Sequence, residues 1–485
     1  MPSKGRLSLG DVTHLVGAIL LGTGFALAVC AITGFGFRDG SFAPLGISAA
    51  LTLAAGGLAR GFTHVPEDVN FREAFATVTF AWVAVATAGA LPYLFSGVIP
   101  DPAAALFESM SGFTTTGSTV LEDIEAVPPG LLLWRSATQW LGGMGIIVLG
   151  VAILPYLGVG GMQLFRLESP GPTHDRLRPR IRDTAKLLWW VYGVLTAACI
   201  LLYLLGGMTV FEAVNHAFTT LPTGGFSSRN ASLADFNPFV QWVAIIFMYL
   251  AGMSFALHYR VLSRGPRAYW RDTEWRLYTG FILIPSLLVA LWLVMDGSPL
   301  ELAVRDGVFQ VTSIMTTTGY ATADYVLWAP SLQVLLLLLM FIGGMAGSTA
   351  GAMKTVRVLL VLKHVGLELR KQLHPRAVLV PKIGGLGVRE PVLLNVLGFV
   401  FLYMIIFGIG TFLLAGLGLS MPGAAGAAAT SLGNVGPGLA ELGPVENFGF
   451  LSGQSQLILT ALMLLGRLEI YTVLLLFHPR FWAHR

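Results

Sequence analysis

The sequence predicts an all-α integral membrane protein in which four parallel repeats, each a span, a short helix and a second span, surround one axis. Two extra N-terminal spans precede these repeats. Three observations predict this class: an apolar composition, short apolar segments between long ones, and basic residues in alternate connections. Of 485 residues, 55% are hydrophobic and only 12% are charged. A soluble domain cannot hide that much apolar surface, whereas lipid can solvate it.

Long apolar runs supply the spans, because a helix needs roughly 20 apolar residues to cross a bilayer. The predicted spans are 12–36, 44–60, 73–98, 130–157, 184–206, 237–262, 275–296, 331–362, 392–419 and 453–478. Other apolar segments are too short to cross and are expected to re-enter the membrane from one side. They lie near 101–113, 209–220, 299–315 and 421–432.

Basic residues orient the chain. They concentrate in three connections, at 166–186, 260–276 and 363–389. The positive-inside rule places these connections and both termini in the cytoplasm, so that the short segments dip in from outside. All repeats then share one orientation. We predict an N-terminal pair of spans at 1–66 and repeats at 67–165, 166–265, 266–375 (with an interrupted second span) and 376–485.

A glycine-containing turn follows each short segment. The turns read TTTGS (114–118), LPTGGFS (221–227), TTTGYAT (316–322) and SLGNVGPG (431–438). Non-helical backbone at membrane depth is tolerated where it is buried or lines water, and glycine lets successive carbonyl groups aim at one axis. Four such strands would form oxygen rings that replace a cation's hydration shell. A packing turn would explain one copy, but four equivalent copies favour the filter.

The filter hypothesis aligns Gly117, Gly224, Gly319 and Gly436. The second and fourth turns depart from the threonine-rich pattern, which weakens fourfold symmetry. The predicted ion-binding residues are Thr115, Thr116, Gly117, Pro222, Thr223, Gly224, Thr317, Thr318, Gly319, Asn434, Val435 and Gly436.

A glycine-rich stretch interrupts the second span of the third repeat. It is either a close-packing seam or an unwound gating loop, since each glycine costs a helix about 1 kcal/mol relative to alanine. Lys354, at its cytoplasmic end, has three candidate roles: pairing with a carboxylate, binding lipid phosphate, or reaching the interface. The candidate gate residues are Gly343, Gly344, Gly347, Ser348, Thr349, Gly351, Lys354 and Arg467.

Arg467 lies near the middle of the last predicted span. A charge at that depth costs on the order of 3 kcal/mol, so it should face the protein interior or water. A buried ion pair with another span is one alternative, and a positive barrier in the pathway is the other.

Several polar residues on the short helices are expected to serve structure rather than ion binding. Glu108, Glu212 and Asp306 are predicted to stabilise helices or pair locally, with Arg135 as the candidate partner of Glu108. His216 is expected to fill space or hydrogen-bond.

The segments SMSGFTTTGST, TTLPTGGFSS, TTTGYAT and SLGNVGPGL resemble the four filter loops of the Trk/Ktr/HKT superfamily of cation transporters. Two longer segments, at 139–172 and 466–482, are similar to the Trk-type potassium-uptake subunit of that superfamily. The resemblance implies a potassium-channel-like pseudo-tetramer, homodimer assembly, and K⁺ bound at the filter residues, with Gly117 implying a preference for potassium. It also implies a gating loop, and Arg467 as a barrier below the filter.

The resemblance further implies a bacterial inner membrane and a separate cytosolic regulatory subunit that binds NAD(H), ATP or ADP, so that this chain itself carries no cofactor. The expected function is gated, channel-like potassium uptake, without nucleic acid as a partner. One alternative is an H⁺- or Na⁺-coupled potassium symporter, which would need a titratable acid in mid-span. The other is a membrane-embedded enzyme, which would need clustered catalytic groups; the scattered histidines favour a protein that is not an enzyme.

Overall fold

The computed structural model describes residues 7–66, 69–152, 177–375 and 380–483. The chain is mostly helical, with one two-stranded hairpin between Lys382–Ile383 and Leu386–Gly387. The long helices are Leu9–Phe37, Phe42–Gly61, Phe71–Ser96, Pro129–Ala152, Leu177–Leu205, Thr273–Met295, Thr355–Leu373 and Glu390–Gly416. Further helices in the chain are Pro238–Ala251, Phe255–Arg264, Arg267–Arg271, Pro330–Ile342, Gly453–Arg467, Tyr471–Leu474 and Pro479–Trp482.

The four predicted short segments are all helices. They run Pro102–Phe113, Val210–Thr220, Leu300–Met315 and Met421–Gly433, close to the predicted bounds. Three begin with a side-chain cap from Asp101, Thr209 or Ser420, each accepting a hydrogen bond from a backbone N–H of the first turn. Such caps satisfy donors that a helix leaves free, which explains why these short elements start where they do.

Among the residues that the structure describes, six long helices are apolar enough to cross a membrane, and they match predicted spans. The predicted span 237–262 is instead two helices, Pro238–Ala251 and Phe255–Arg264, bent by 94°. The predicted span 453–478 likewise bends by 106° after Arg467. Apolar content does not report such bends, so predicting these two as continuous spans was wrong.

The predicted span 331–362 is not one continuous helix. One helix ends at Ile342 and the next begins at Thr355. Residues 343–354 form the segment that we call the intramembrane loop. Three breaks therefore follow three of the four turns, at residues 252–254, 343–354 and 468–470.

The two N-terminal helices pack closely through small residues. A Cβ on Gly17 would lie 3.0 Å from the carbonyl oxygen of Gly56, a contact typical of membrane helices. The C-terminal end returns to this region, where Phe481 is buried with Val12 and Phe75. The predicted end of the fourth span (153–157), the repeat boundary at 165/166, Arg166 and Arg176 lie outside the described residues.

Candidate functional site

The four short helices end in one common backbone motif. Residues Thr115, Thr223, Thr317 and Asn434 all have left-handed backbone angles, with φ between 53° and 58°. The next residue in each turn donates its N–H to a carbonyl oxygen five residues earlier: Thr116 to Ser111, Gly224 to Thr219, Thr318 to Ser313 and Val435 to Thr430, at 2.8–2.9 Å. This is a Schellman-type helix end, normally built with glycine at the left-handed position. Placing threonine there costs energy, so neighbouring contacts must hold the turns.

The backbone corrects the alignment of the second turn. Within the four turns, the glycines with positive φ are Gly117, Gly225, Gly319 and Gly436. Gly225, not Gly224, is therefore equivalent to the other three, and Gly224 is equivalent to Thr116. Aligning Gly224 with Gly117, Gly319 and Gly436 was wrong by one residue. Two adjacent glycines left the register open in the sequence, whereas the hydrogen-bond pattern fixes it.

The four turns lie next to one another in chain order and close into a ring. A Cβ on Gly117 would collide with the carbonyl oxygen of Gly224, which belongs to the next repeat. A Cβ on Gly225 would likewise collide with the carbonyl oxygen of Thr318, and a Cβ on Gly319 with that of Val435. A Cβ on Gly436 would come within 3.0 Å of the carbonyl oxygen of Thr116, which completes the circle. Neutral oxygens gathered in this way can coordinate a cation without holding it as tightly as carboxylates would.

Threonine hydroxyls brace the first and third turns in the same manner. Thr114 Oγ1 lies 2.8 Å from Thr116 Oγ1, and Thr316 Oγ1 lies 2.8 Å from Thr318 Oγ1. The second and fourth turns lack this pair because Gly224 and Val435 have no hydroxyl. The first and third turns lie opposite each other in the ring. The hydroxyl pairs therefore follow twofold rather than fourfold pseudo-symmetry.

Side chains from the first repeat brace the other two turns. Gln139 Nε2 donates a 2.7 Å hydrogen bond to the carbonyl oxygen of Gly224, and its Oε1 accepts from Phe226 N at 3.2 Å. Ser118 Oγ donates to the carbonyl oxygen of Gly436 at 2.7 Å. The sequence analysis did not identify Gln139 or Ser118, although glutamine is an unusual residue for the middle of a span.

The intramembrane loop lies against the C-terminal ends of the short helices. Thr349 Oγ1 donates to the carbonyl oxygen of Leu221 at 3.0 Å and also accepts from Thr223 Oγ1 at 3.3 Å. Gly351 N donates to Thr317 Oγ1 at 2.7 Å. Ala352 N donates at 2.9 Å to the carbonyl oxygen of Gly433, the last residue of the fourth short helix. Three of the four turns are thus tied to this loop from one side.

Lys354 and Arg467, both buried, donate to backbone carbonyl groups. Lys354 Nζ contacts the carbonyl oxygens of Ser348 and Ala350, so it braces the loop itself. Arg467 Nη1 donates to the carbonyl oxygen of Thr349 at 2.7 Å, which places it directly at the loop. Neither residue has a carboxylate among its hydrogen-bond partners in the described part of the chain.

The remaining gate candidates lie within the same loop. Gly343 and Gly347 have φ of +76°, a conformation that other residues rarely adopt. A Cβ on Gly344 would lie 2.7 Å from the carbonyl oxygen of Gly252, so the loop packs on the break of the second repeat. Met345 N and Phe255 N add hydrogen bonds across that contact, at 2.8 and 3.1 Å.

A partly buried ion pair joins the helix after the loop to the break of the last span, and the sequence analysis missed it. Arg357, two residues into the helix after the loop, donates to Glu469 at the break of the last span. Its guanidinium also lies 4.1 Å from the ring centroid of Phe399. Glu469 and Ile470 both have positive φ. Positive φ at a β-branched residue is a true outlier, so this break is held in a strained form.

The acidic residues of the short helices have local partners, as expected. Arg135 Nε lies 2.7 Å from Glu108 Oε1, and Glu212 caps its own helix and pairs with Arg229 at 2.6 Å. Asp306 accepts from Thr322 Oγ1 at 2.9 Å. His216 hydrogen-bonds to Ser227 Oγ at 3.0 Å and to the carbonyl of Glu212 at 2.8 Å.

Comparison with known proteins gives consistent matches over nearly the whole chain. A family model described as "TrkH: Cation transport protein" matches residues 46–483. The chain is 38% identical over 481 residues to the Trk system potassium uptake protein TrkH of Escherichia coli (strain K12), covering 97% of this chain and 99% of that protein. It is 37% identical over 441 residues to the Trk system potassium uptake protein TrkI of Halomonas elongata, covering 90% and 89%. The crystal structure of the potassium transporter TrkH from Vibrio parahaemolyticus superposes with a TM-score of 0.91 at 35% identity, covering 98% of this chain and all of that one.

Proposed function

The chain belongs to the TrkH family of cation transport proteins, and from this premise we propose that it conducts potassium into the cell through the ring of four turns. The family is one of transporters rather than enzymes. The inside-negative membrane potential would supply about 2.3 kcal/mol per charge for each 100 mV.

One observation carries the proposal: the carbonyl oxygens of Thr116, Gly224, Thr318 and Val435 each lie against a glycine of the adjacent repeat, in an unbroken circle. Potassium would shed water there and take these oxygens in exchange. Since the helix before each turn ends at the ring, the partial negative charge of its C-terminus also favours a cation. The proposed filter residues are those predicted from the sequence, with Gly225 added as the equivalent of Gly117.

We propose that the intramembrane loop is the gate and that this structure is its closed state. Support comes from the hydrogen bonds that tie residues 343–354 to the ends of three short helices. Arg467, bonded to Thr349, adds a positive charge at the same place. Opening would require the loop to leave these partners.

The proposal includes a homodimer in a bacterial inner membrane, with both termini in the cytoplasm, and a cytosolic nucleotide-binding subunit that moves the gate. The concentration of basic residues at 260–276 and 363–389 supports this orientation and offers a docking surface. The helix Thr355–Leu373 links that surface directly to the loop.

Uptake measurements on the purified protein in sealed vesicles test the function. A potassium gradient should drive accumulation of radioactive rubidium at a clamped pH and without sodium, and radioactive sodium should enter more slowly. Uptake that requires an imposed proton or sodium gradient would instead favour the symporter. Absence of uptake with and without each gradient, including in a variant lacking the Arg467 charge, would refute conduction.

A further inference from the structure

Gln139 makes a contact that crosses from one repeat to the next. It lies on the second span of the first repeat, is fully buried, and bonds through both amide atoms to the second turn. Its acceptor, the carbonyl oxygen of Gly224, is one of the four oxygens of the ring. The amide therefore touches the proposed ion-binding group itself.

Among the described helices that follow the four turns, only the first makes this contact, through Gln139. The helices that follow the turns begin at Pro129, Pro238, Pro330 and Gly453. Counting from these residues, the place of Gln139 is taken by methionine in the other repeats, at Met248, Met340 and Met463. Methionine has nearly the same volume as glutamine but cannot donate a hydrogen bond.

The second turn needs an outside brace. Its residues Pro222 and Gly224 replace the threonines that form the hydroxyl pair of the first turn. Gly224 also has the greatest backbone freedom of any residue at this level of the ring. Gln139 supplies the missing restraint because its two hydrogen bonds, to the N–H of Phe226 and to the carbonyl oxygen of Gly224, hold both groups in place.

We propose that Gln139 is a selectivity-determining positioning residue, which sets how well the ring distinguishes potassium from sodium. This inference rests on the proposed function of the ring. A filter favours potassium only while its oxygens resist closing around a smaller ion, or while their number and dipole strength suit the larger one. The hydrogen bond from Gln139 acts on both properties, because it holds the Gly224 oxygen in place and uses part of its acceptor capacity.

The test compares rubidium and sodium uptake by vesicles that contain the full-length protein. Gln139→Met keeps the volume and makes the first repeat like the others. Gln139→Leu removes both amide atoms, so that neither the Gly224 oxygen nor Phe226 N keeps its partner. The control is Gln333→Leu. Within the described part of the chain, Gln333 donates only to the carbonyl oxygens of Val326 and Trp328, and the first repeat has Leu132 at the same place.

We expect both Gln139 variants to raise the sodium-to-rubidium uptake ratio by about threefold or more, the change that one net hydrogen bond can produce. Gln333→Leu should leave the ratio unchanged. A merely structural role of Gln139 would lower both uptake rates in proportion, since fewer molecules would be active, and a wild-type ratio would overturn the proposal. A shift with methionine but not with leucine would assign the effect to the methionine side chain rather than to the lost hydrogen bonds, and would overturn the proposal. Failure of both the wild-type protein and the Arg467→Ala variant to transport either ion would instead refute the function on which the inference rests.

Discussion

Arg467 Nη1 donates a 2.7 Å hydrogen bond to the carbonyl oxygen of Thr349, and this bond joins the break of the last span to the loop of the third repeat. Thr349 in turn bonds the end of the second short helix through its hydroxyl. One arginine therefore holds the loop in the position where it contacts the ring of turns.

Replacement of this arginine should increase conduction. Arg467→Ala removes both the charge and the bond to Thr349, and loss of one charge-assisted bond of about 1.5–3 kcal/mol corresponds to roughly a tenfold or greater rise in the open population. Rubidium uptake into vesicles measures the change. Arg467→Lys separates the two roles, because it keeps the charge and loses the fork geometry. If Arg467→Ala took up rubidium at the wild-type rate, neither the positive charge of Arg467 nor its hydrogen bond to Thr349 would limit conduction, and both proposed roles would be contradicted.

Gly225 should be intolerant of any side chain. Gly225→Ala would place a methyl group against the carbonyl oxygen of Thr318, besides straining a residue with φ of +78°. We expect rubidium uptake to fall by about tenfold or more, because one clash of a few kcal/mol distorts the ring. Gly207→Ala is the matched control, since Gly207 has φ of +91° but no atom within 4 Å of the added methyl group. Equal losses in the two variants would assign the effect to backbone strain alone.

The pair between Arg357 and Glu469 should behave as a coupled unit. Glu469→Gln leaves the buried Arg357 guanidinium without its anion; because Glu469 is 18% exposed, we expect a cost below the about 3–5 kcal/mol of a fully buried pair. We expect a lower melting temperature for Glu469→Gln and for Arg357→Met. The double variant should recover part of the loss, which differential scanning fluorimetry in detergent would measure. Strictly additive losses would show that the two residues act independently.

Asn230 joins the loops that follow the first and second turns, because its side chain donates to Asp123 Oδ1 at 2.9 Å. This hydrogen bond lowers the pKa of the Asp123 carboxyl. Because the folded pKa lies below the unfolded one, the stabilisation is present above about pH 3.9 and is lost as the pH falls through the folded pKa.

Asn230→Ala should therefore lower the melting temperature most at neutral pH, and its difference from the wild-type protein should narrow as the solution is acidified. Asp123→Asn keeps the acceptor but cannot titrate, so its melting temperature should not show this step. A difference that widens on acidification would contradict the sign of the pKa shift.

Much of the fold could be predicted from the sequence because its signals are local. Apolar length marks the spans, and the polar residues Asp101 and Ser420 before Pro102 and Pro422 mark where two short helices begin. The bends after Ala251 and Arg467 depend on tertiary contacts instead. Residues 468–470, where the last span bends, include neither glycine nor proline. The sequence of this break therefore gives no sign of the bend.

The candidate site was predicted at the level of segments and less well at the level of atoms. The turns and the loop are where the sequence places them, since glycine clusters inside apolar runs are costly unless they serve a purpose. The register at Gly224 and Gly225 could not be chosen, because both residues accept positive φ. The role of Gln139 could not be predicted from its own segment, because its hydrogen-bond partner, Gly224, lies in the second turn, 85 residues further along the chain.

Direct observation of a heavy monovalent cation tests the central claim. A structure of the protein determined in thallium should show strong density between the carbonyl oxygens of Thr116, Gly224, Thr318 and Val435. A ring without thallium, in crystals or particles that bind it elsewhere, would contradict the account. So would a ring centre filled by a side chain or by lipid.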